Sequence, residues 1–310
     1  MNRFPSIAVG IAACLAPQVI TAVADTLFVG DWGAGATSTS GSIFTYDTTV
    51  GGASQATFAG QLYTPGGMAF DSQGDLYVSI GEQTSTAGKI LKFASDVSST
   101  LFASGLNTPS GLAFDSAGNL KVGLSGGNAI DSISPDGVVS PFATLASGSK
   151  FIYGLAYDAS GVLYCASRLN GGSVTEFNSD GSQKATFATA IGAPFAIAFD
   201  AAGNVFVDDA GSGRIFKFNP DGTGKTVFAS GLSVPTGMAF DSAGNLYVAE
   251  ATGGVIDKFD SSGNKTTFAT GLTTPWFVSI GKTAVPEPST LALLLLGAGT
   301  IAFAIRKPRA

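Results

Sequence analysis

Five reworkings of one short phrase dominate this chain, and a repeat near forty residues leaves few folds open to it. The clearest copy, over 108–122, reads T-P-S-G-L-A-F-D-S-A-G-N-L-K-V. T-P-G-G-M-A-F-D-S-Q-G-D-L-Y-V starts at Thr64, V-P-T-G-M-A-F-D-S-A-G-N-L-Y-V at Val234 and A-P-F-A-I-A-F-D-A-A-G-N-V-F-V at Ala193. A looser copy, Y-G-L-A-Y-D-A-S-G-V-L-Y-C, begins at Tyr153. The aspartates Asp71, Asp115, Asp158, Asp200 and Asp241 stand 44, 43, 42 and 41 residues apart. Short apolar runs between Gly-, Asn-, Asp- and Pro-bearing turns predict antiparallel strands. In the best copy these fall at 236–240, 246–249, 255–259 and 266–270. Four strands in about 42 residues make one propeller blade.

The number of blades follows from what the ends lack. A Phe-Ala pair closes the fourth strand at Phe58, Phe102, Phe142, Phe187, Phe228 and Phe268, which is six times. The A-F-D first strand appears only five times, and its sixth counterpart, 276–280, follows the last Phe-Ala pair. At the other end, 25–30 (D-T-L-F-V-G) matches a second strand with no first strand before it. The predicted fold is all-β: a six-bladed β-propeller of four-stranded antiparallel blades, closed by pairing N-terminal and C-terminal strands. Closure removes the free sheet edges that invite aggregation. Gly111, Ala113, Gly237 and Ala239 suit inner strands crowded near the axis, and Leu112, Phe114, Met238 and Phe240 alternate with them to fill the gap against the other neighbouring blade.

Composition narrows the chemistry. The 310 residues are 45% hydrophobic and 12% charged, which excludes a disordered chain. Histidine is absent, which removes Ser-His-Asp and Cys-His nucleophiles, the usual near-neutral base and the commonest zinc ligand. A net charge of −6 argues against a nucleic-acid partner. Between the two ends, 25–284 holds 21 acids and 12 bases, a net charge of −9 and an acidic surface. Cys165, in the run L-Y-C-A, reads as a small buried hydrophobe.

Both ends read as addresses. Residues 1–24 carry Arg3, an apolar stretch and Ala22-Val23-Ala24, the layout of a secretory signal peptide cut after Ala24. Ile11-Ala12-Ala13-Cys14 loosely resembles a lipobox, the alternative at this end. Near the C-terminus, Pro286-Glu287-Pro288 leads into an uncharged apolar run, predicted as a short transmembrane helix over 290–305, and then Arg306-Lys307-Pro308-Arg309. This order of elements over 285–310 resembles the PEP-CTERM sorting signal of Gram-negative bacteria. The resemblance implies an exosortase-type membrane protease as partner, transient anchoring in the inner membrane, and delivery to the cell surface or extracellular matrix.

The repeated P-x-G-[LM]-A-[FY]-D-x-x-G-N-L-Y-V, followed by third strands such as 214–218, resembles NHL-repeat propellers, which are related to gluconolactonase-like and strictosidine-synthase-like folds. The resemblance covers 25–281 and specifies architecture better than activity. In D-S-A-G-N the Asp is expected to accept backbone N–H bonds across its turn while Gly takes the left-handed position. A divalent cation such as calcium is the competing reading, with ligands sparser than an EF-hand loop supplies.

In such blades the loops entering the inner strands and those leaving the second strands share one face. The first set opens at Gly66, Ser110, Tyr153, Phe195, Thr236 and Trp276; the second ends at Asp31, Ile80, Leu124, Ser167, Asp209 and Glu250. Asp31, Asp209 and Glu250 fall in three consecutive blades, where they either tie down their own loops or form an acidic arc suited to a metal ion. Tyr153, Phe195 and Trp276, with Trp32 and Arg168 nearby, are the candidate ligand-binding residues, suited to a sugar in an exopolysaccharide or to another surface protein. The expected role is noncatalytic binding. The alternative is a metal-dependent lactonase or esterase, but the inner-strand openings lack the acids and Asn that line the channel in the lactonase-like pattern.

Overall fold

A computed structural model describes residues 24–33, 40–50, 52–81, 88–145, 151–168 and 171–283. Ala24–Thr283 form one compact unit. The apolar stretch 290–305 and most of the leader over 1–24 lie outside the described residues. Among the described residues no helix is long and apolar enough to cross a membrane.

The described residues of the unit form six four-stranded antiparallel sheets, with one 3-10 turn, Gly52–Ser54, beside the first. In blade 1 the inner strand is Pro275–Thr283 and the second strand Ala24–Asp31. Blades 2 to 6 begin with Pro65–Phe70, Pro109–Phe114, Ile152–Tyr157, Ile197–Phe199 and Pro235–Phe240. Their second strands are Leu76–Ile80, Leu120–Leu124, Leu163–Ser167, Val205–Asp209 and Leu246–Glu250. Each inner strand touches the next around a closed ring. The predicted closure is present: Ala24 lies opposite Thr283, Leu27 opposite Ile280 and Val29 opposite Val278. Strand bounds in the best copy shift by one residue, to Pro235–Phe240, Leu246–Glu250 and Lys265–Ala269. The larger departure is in blade 5, whose inner strand pairs over only three residues, 197–199.

The apolar core is divided into six clusters, each lying between two neighbouring blades. Met238 of blade 6 packs among Ala196, Ala198 and Phe206 of blade 5, and Leu112 of blade 3 packs beside Tyr77 and Ile90 of blade 2. No blade buries its apolar faces alone, so the ring is stable only as a whole. The fourth-strand Phe of each Phe-Ala pair belongs to these seams. Phe102 meets the Tyr77 ring edge-on at 4.9 Å, and Phe114 of blade 3 meets it edge-on at the same distance.

In the D-x-x-G-N turns the Asp ties its own loop and also meets a Lys or Tyr beyond it, as Asp115 meets Lys121 and Asp241 meets Tyr247. Asp115 Oδ1 accepts the N–H groups of Ala117 and Asn119, its Oδ2 accepts from the Asn119 amide, and Gly118 takes φ +83°. Near the axis the small residues are obligatory. A Cβ on Gly111 would stand 2.1 Å from the Tyr153 carbonyl oxygen, and one on Gly237 would stand 2.7 Å from that of Trp276. The obstructing atoms belong to the next blade's backbone, which cannot move without shifting its sheet.

Gly111→Val is therefore expected to cost about 1–3 kcal/mol or more by overpacking. Gly60→Ala, where a Cβ meets only Ser42 Oγ at 3.7 Å, serves as the near-neutral control. Urea denaturation of both variants checks this; equal midpoints would contradict the crowded axis.

Candidate functional site

One end of the ring is stitched by a bond that recurs in every blade. The residue after each second strand donates its N–H to a carbonyl on the segment that leads into the inner strand. The pairs are Trp32 to Thr274, Gly81 to Thr64, Ser125 to Thr108, Arg168 to Phe151, Ala210 to Ala193 and Ala251 to Val234. This bond brings both sets of loops to one face, where the sequence placed the candidate residues.

The three acids hold loops. Asp31 Oδ1 accepts the N–H groups of Gly33 and Thr274 at 2.8 and 2.9 Å, and its Oδ2 accepts that of Thr273 at 2.8 Å. Asp209 Oδ1 accepts from Ala193 and Gly211, and its Oδ2 accepts the Ser212 hydroxyl. Glu250 Oε2 accepts from Ser233 N at 2.6 Å, while its Oε1 pairs with Lys265, which also reaches the buried Asp257. Burial, helped by a hydrogen bond to Asp257, raises the Glu250 carboxyl above its ordinary range. Each acid thus anchors the loop that enters its own blade's inner strand. No group of three or more Cys, Asp or Glu side chains placed to hold a metal ion occurs among the described residues.

The aromatic candidates converge. Trp32 and Trp276 stack with centroids 4.0 Å apart and planes 16° apart. Phe195 meets Trp276 edge-on at 5.3 Å, and Tyr153 lies 4.3 Å from Phe195. The Arg168 guanidinium sits 5.4 Å from the Phe195 ring centre, within cation–π range. The row runs from blade 1 to blades 5 and 4 past blade 6, where the small, buried Thr236 occupies the equivalent position. Trp32 is fixed by its Nε1, which donates to Pro65 O at 2.9 Å, whereas the buried Trp276 Nε1 has no hydrogen-bond partner among the described residues. Burial raises the Tyr153 hydroxyl, and Arg168 partly offsets that effect.

Sequence reasoning missed two residues. Phe151 lies in the left-handed region at φ 60°, is 41% exposed, and stacks near-parallel to Tyr153 at 6.4 Å. Its signal was its place: Thr64, Thr108 and Val234 precede a proline at the corresponding position, and here an aromatic does not. The other is Asp208, wholly buried, whose Oδ1 accepts the N–H groups of Phe195 and Ala196.

Beneath the aromatic mouth lies a channel cavity of about 180 Å³ to which all six inner strands contribute. Among the described residues its lining includes Met68, Leu112, Leu155, Met238 and Phe277, and the side-chain oxygens there are those of Tyr153 and Ser279. A lactonase-type metal ion requires convergent carboxylate or amide oxygens. Among the described lining residues there is no Asp, Glu, Asn or Gln side chain, so this donor set does not fit such an ion.

These features define a class: a six-bladed β-propeller bearing a sorting signal. Residues 284–310 match the PEP-CTERM protein-sorting motif. The motif marks an exported, surface-directed chain with a transient membrane anchor, and it is the substrate signal for exosortase, a membrane protease. Among solved structures, a chain of the nidogen–laminin complex is similar at 19% identity and TM-score 0.70, covering 84% of this chain and 99% of that one. A gluconolactonase from Xanthomonas campestris is similar at 20% identity and TM-score 0.60, with 69% and 78% covered. Virginiamycin B lyase from Staphylococcus aureus is similar at 19% identity and TM-score 0.56, with 69% and 73% covered. At these identities the likeness is one of fold. No curated protein matches the chain by sequence.

Burial pushes the Asp208 carboxyl up to about 8. An unfolded Asp titrates near ~3.9, so between these values the folded chain holds the extra proton and stability falls as pH rises, by about 1.4 kcal/mol per unit. The loss ends near pH 8. Asp208→Asn lacks this slope, so denaturation at pH 5 and pH 8 should show the variant gaining on the wild type; an equal difference at both would contradict the buried neutral acid.

Proposed function

We propose that this chain is a noncatalytic binding propeller of the cell surface or matrix, and that its aromatic mouth takes sugar units of an exopolysaccharide. The observation that carries the reading is the meeting of Trp32, Trp276, Phe195 and Tyr153 beside an exposed arginine, Arg168, at one end of the ring. Aromatic rings stack on sugar faces, while Arg168 and the Tyr153 hydroxyl supply polar contacts. On this reading 1–24 is a leader cut after Ala24. Pro286, Glu287 and Pro288, the apolar helix over 290–305 and the basic Arg306, Lys307 and Arg309 direct processing.

Hydrolysis of a lactone or ester is the weaker reading, because the channel lacks the donors for a metal ion. A histidine-to-alanine variant of the S. aureus lyase is catalytically inactive, and this chain contains no histidine.

Trp276→Ala and Trp32→Ala should each weaken retention by the producing cell's exopolysaccharide about tenfold or more, a change of ~1.4 kcal/mol. Affinity electrophoresis checks this, and undiminished retention removes the carbohydrate reading. Calorimetry with calcium, zinc and manganese is expected to show no tight site in the channel. A single tight site there would favour the hydrolase.

A further inference from the structure

Blade 5 differs from its five neighbours at one buried position. The penultimate residue of the second strand is Gly30, Ser79, Gly123, Ala166 and Ala249 in the other blades, and Asp208 here. In blade 4 the first and second strands pair from Ile152 opposite Ser167, and in blade 6 from Pro235 opposite Glu250. In blade 5 the ladder begins at Ile197 opposite Val207, and beyond it the backbone makes one long bond, from Asp208 N–H to Ala196 O at 3.4 Å. The amides of Phe195 and Ala196 turn instead to Asp208 Oδ1, each at 2.7 Å.

This substitution is costly. The Asp208 side chain is wholly buried, and its Oδ2 has no hydrogen-bond partner among the described residues. An alanine, as in blades 4 and 6, would avoid burying an unpaired oxygen. What the acid provides is a single acceptor for two successive N–H groups, which fixes the backbone where Phe195 projects. The Phe195 ring touches Tyr153 on one side, Trp276 on another and the Arg168 guanidinium above. A small rotation at Phe195 would disturb all three.

We propose that Asp208 is the positioning residue of the aromatic mouth: by accepting the amides of Phe195 and Ala196 at the frayed start of blade 5 it seats Phe195, and through Phe195 it holds Trp276 across blade 6 against Trp32. The ligand platform is thus assembled from beneath, by a side chain no ligand touches. The proposal rests on the binding reading only for its consequence, since the seating of the rings is a matter of geometry.

The chain's two tryptophans are the two stacked in this mouth, so optical signals report on it directly. The test compares the exciton couplet of the indole pair in circular dichroism, and tryptophan emission, across variants of the full chain. Asp208→Ala should lower the couplet at least twofold and red-shift the emission while unfolding stays cooperative, and Phe195→Ala should reproduce both changes. Asp208→Asn, whose amide oxygen can accept the same two bonds, should keep the wild-type couplet. A folded alanine variant with an unchanged couplet, or an asparagine variant as disturbed as the alanine one, would overturn the proposal. Should the alanine variant not fold, Asp208→Ser, with the residue blade 2 carries at this position, takes its place with the same two outcomes. No ligand enters the measurement, so its result is independent of whether polysaccharide binds.

Discussion

The pairing of Pro275–Thr283 with Ala24–Asp31 is the interaction on which the rest of this structure depends. Every apolar cluster lies between two blades, so a ring missing one inner strand would expose two seams at once. Phe277 faces the seam with blade 2 and Val278 the seam with blade 6, and both line the channel. The same strand carries Trp276, and its partner ends at Asp31 beside Trp32. The residues that close the ring are thus also the ones that build its aromatic mouth.

The repeat and the site are opposites in the sequence. Where the repeat is kept, its residues serve the fold: glycines let inner-strand backbones approach, and turn aspartates satisfy their own loops. Where it is broken, the mouth appears. Tyr153, Phe195 and Trp276 replace the Gly66, Ser110 and Thr236 of the other blades. Asp31 and Asp209 connect the two roles, since by gripping the loops that enter blades 1 and 5 they help fix where those aromatics emerge.

The ring was legible because its cause is local and repeated. Strand length, turn chemistry and small residues recur in register, and counting Phe58 through Phe268 against the first strands exposed the shared closing blade. The convergence of Trp32 and Trp276 followed from that count. The acids were legible only as alternatives, because a carboxylate at a strand end looks the same whether it meets amides or a cation. Phe151 was hidden because the looser copy of the repeat is recognisable only from Tyr153 onward, two residues later. Asp208 could not be read beyond its oddity: the sequence shows Asp208-Asp209, but not that the first turns inward to the amides of Phe195 and Ala196.

Closure is tested most directly by amide hydrogen exchange along 277–280. If this strand is the inner wall of blade 1, its amides should exchange as slowly as those of 68–70 and 238–240 in blades 2 and 6, and open only with the whole ring. Exchange there that is orders of magnitude faster, with blades 2 to 6 still protected, would mean that the ends do not meet, and the aromatic mouth would go with them.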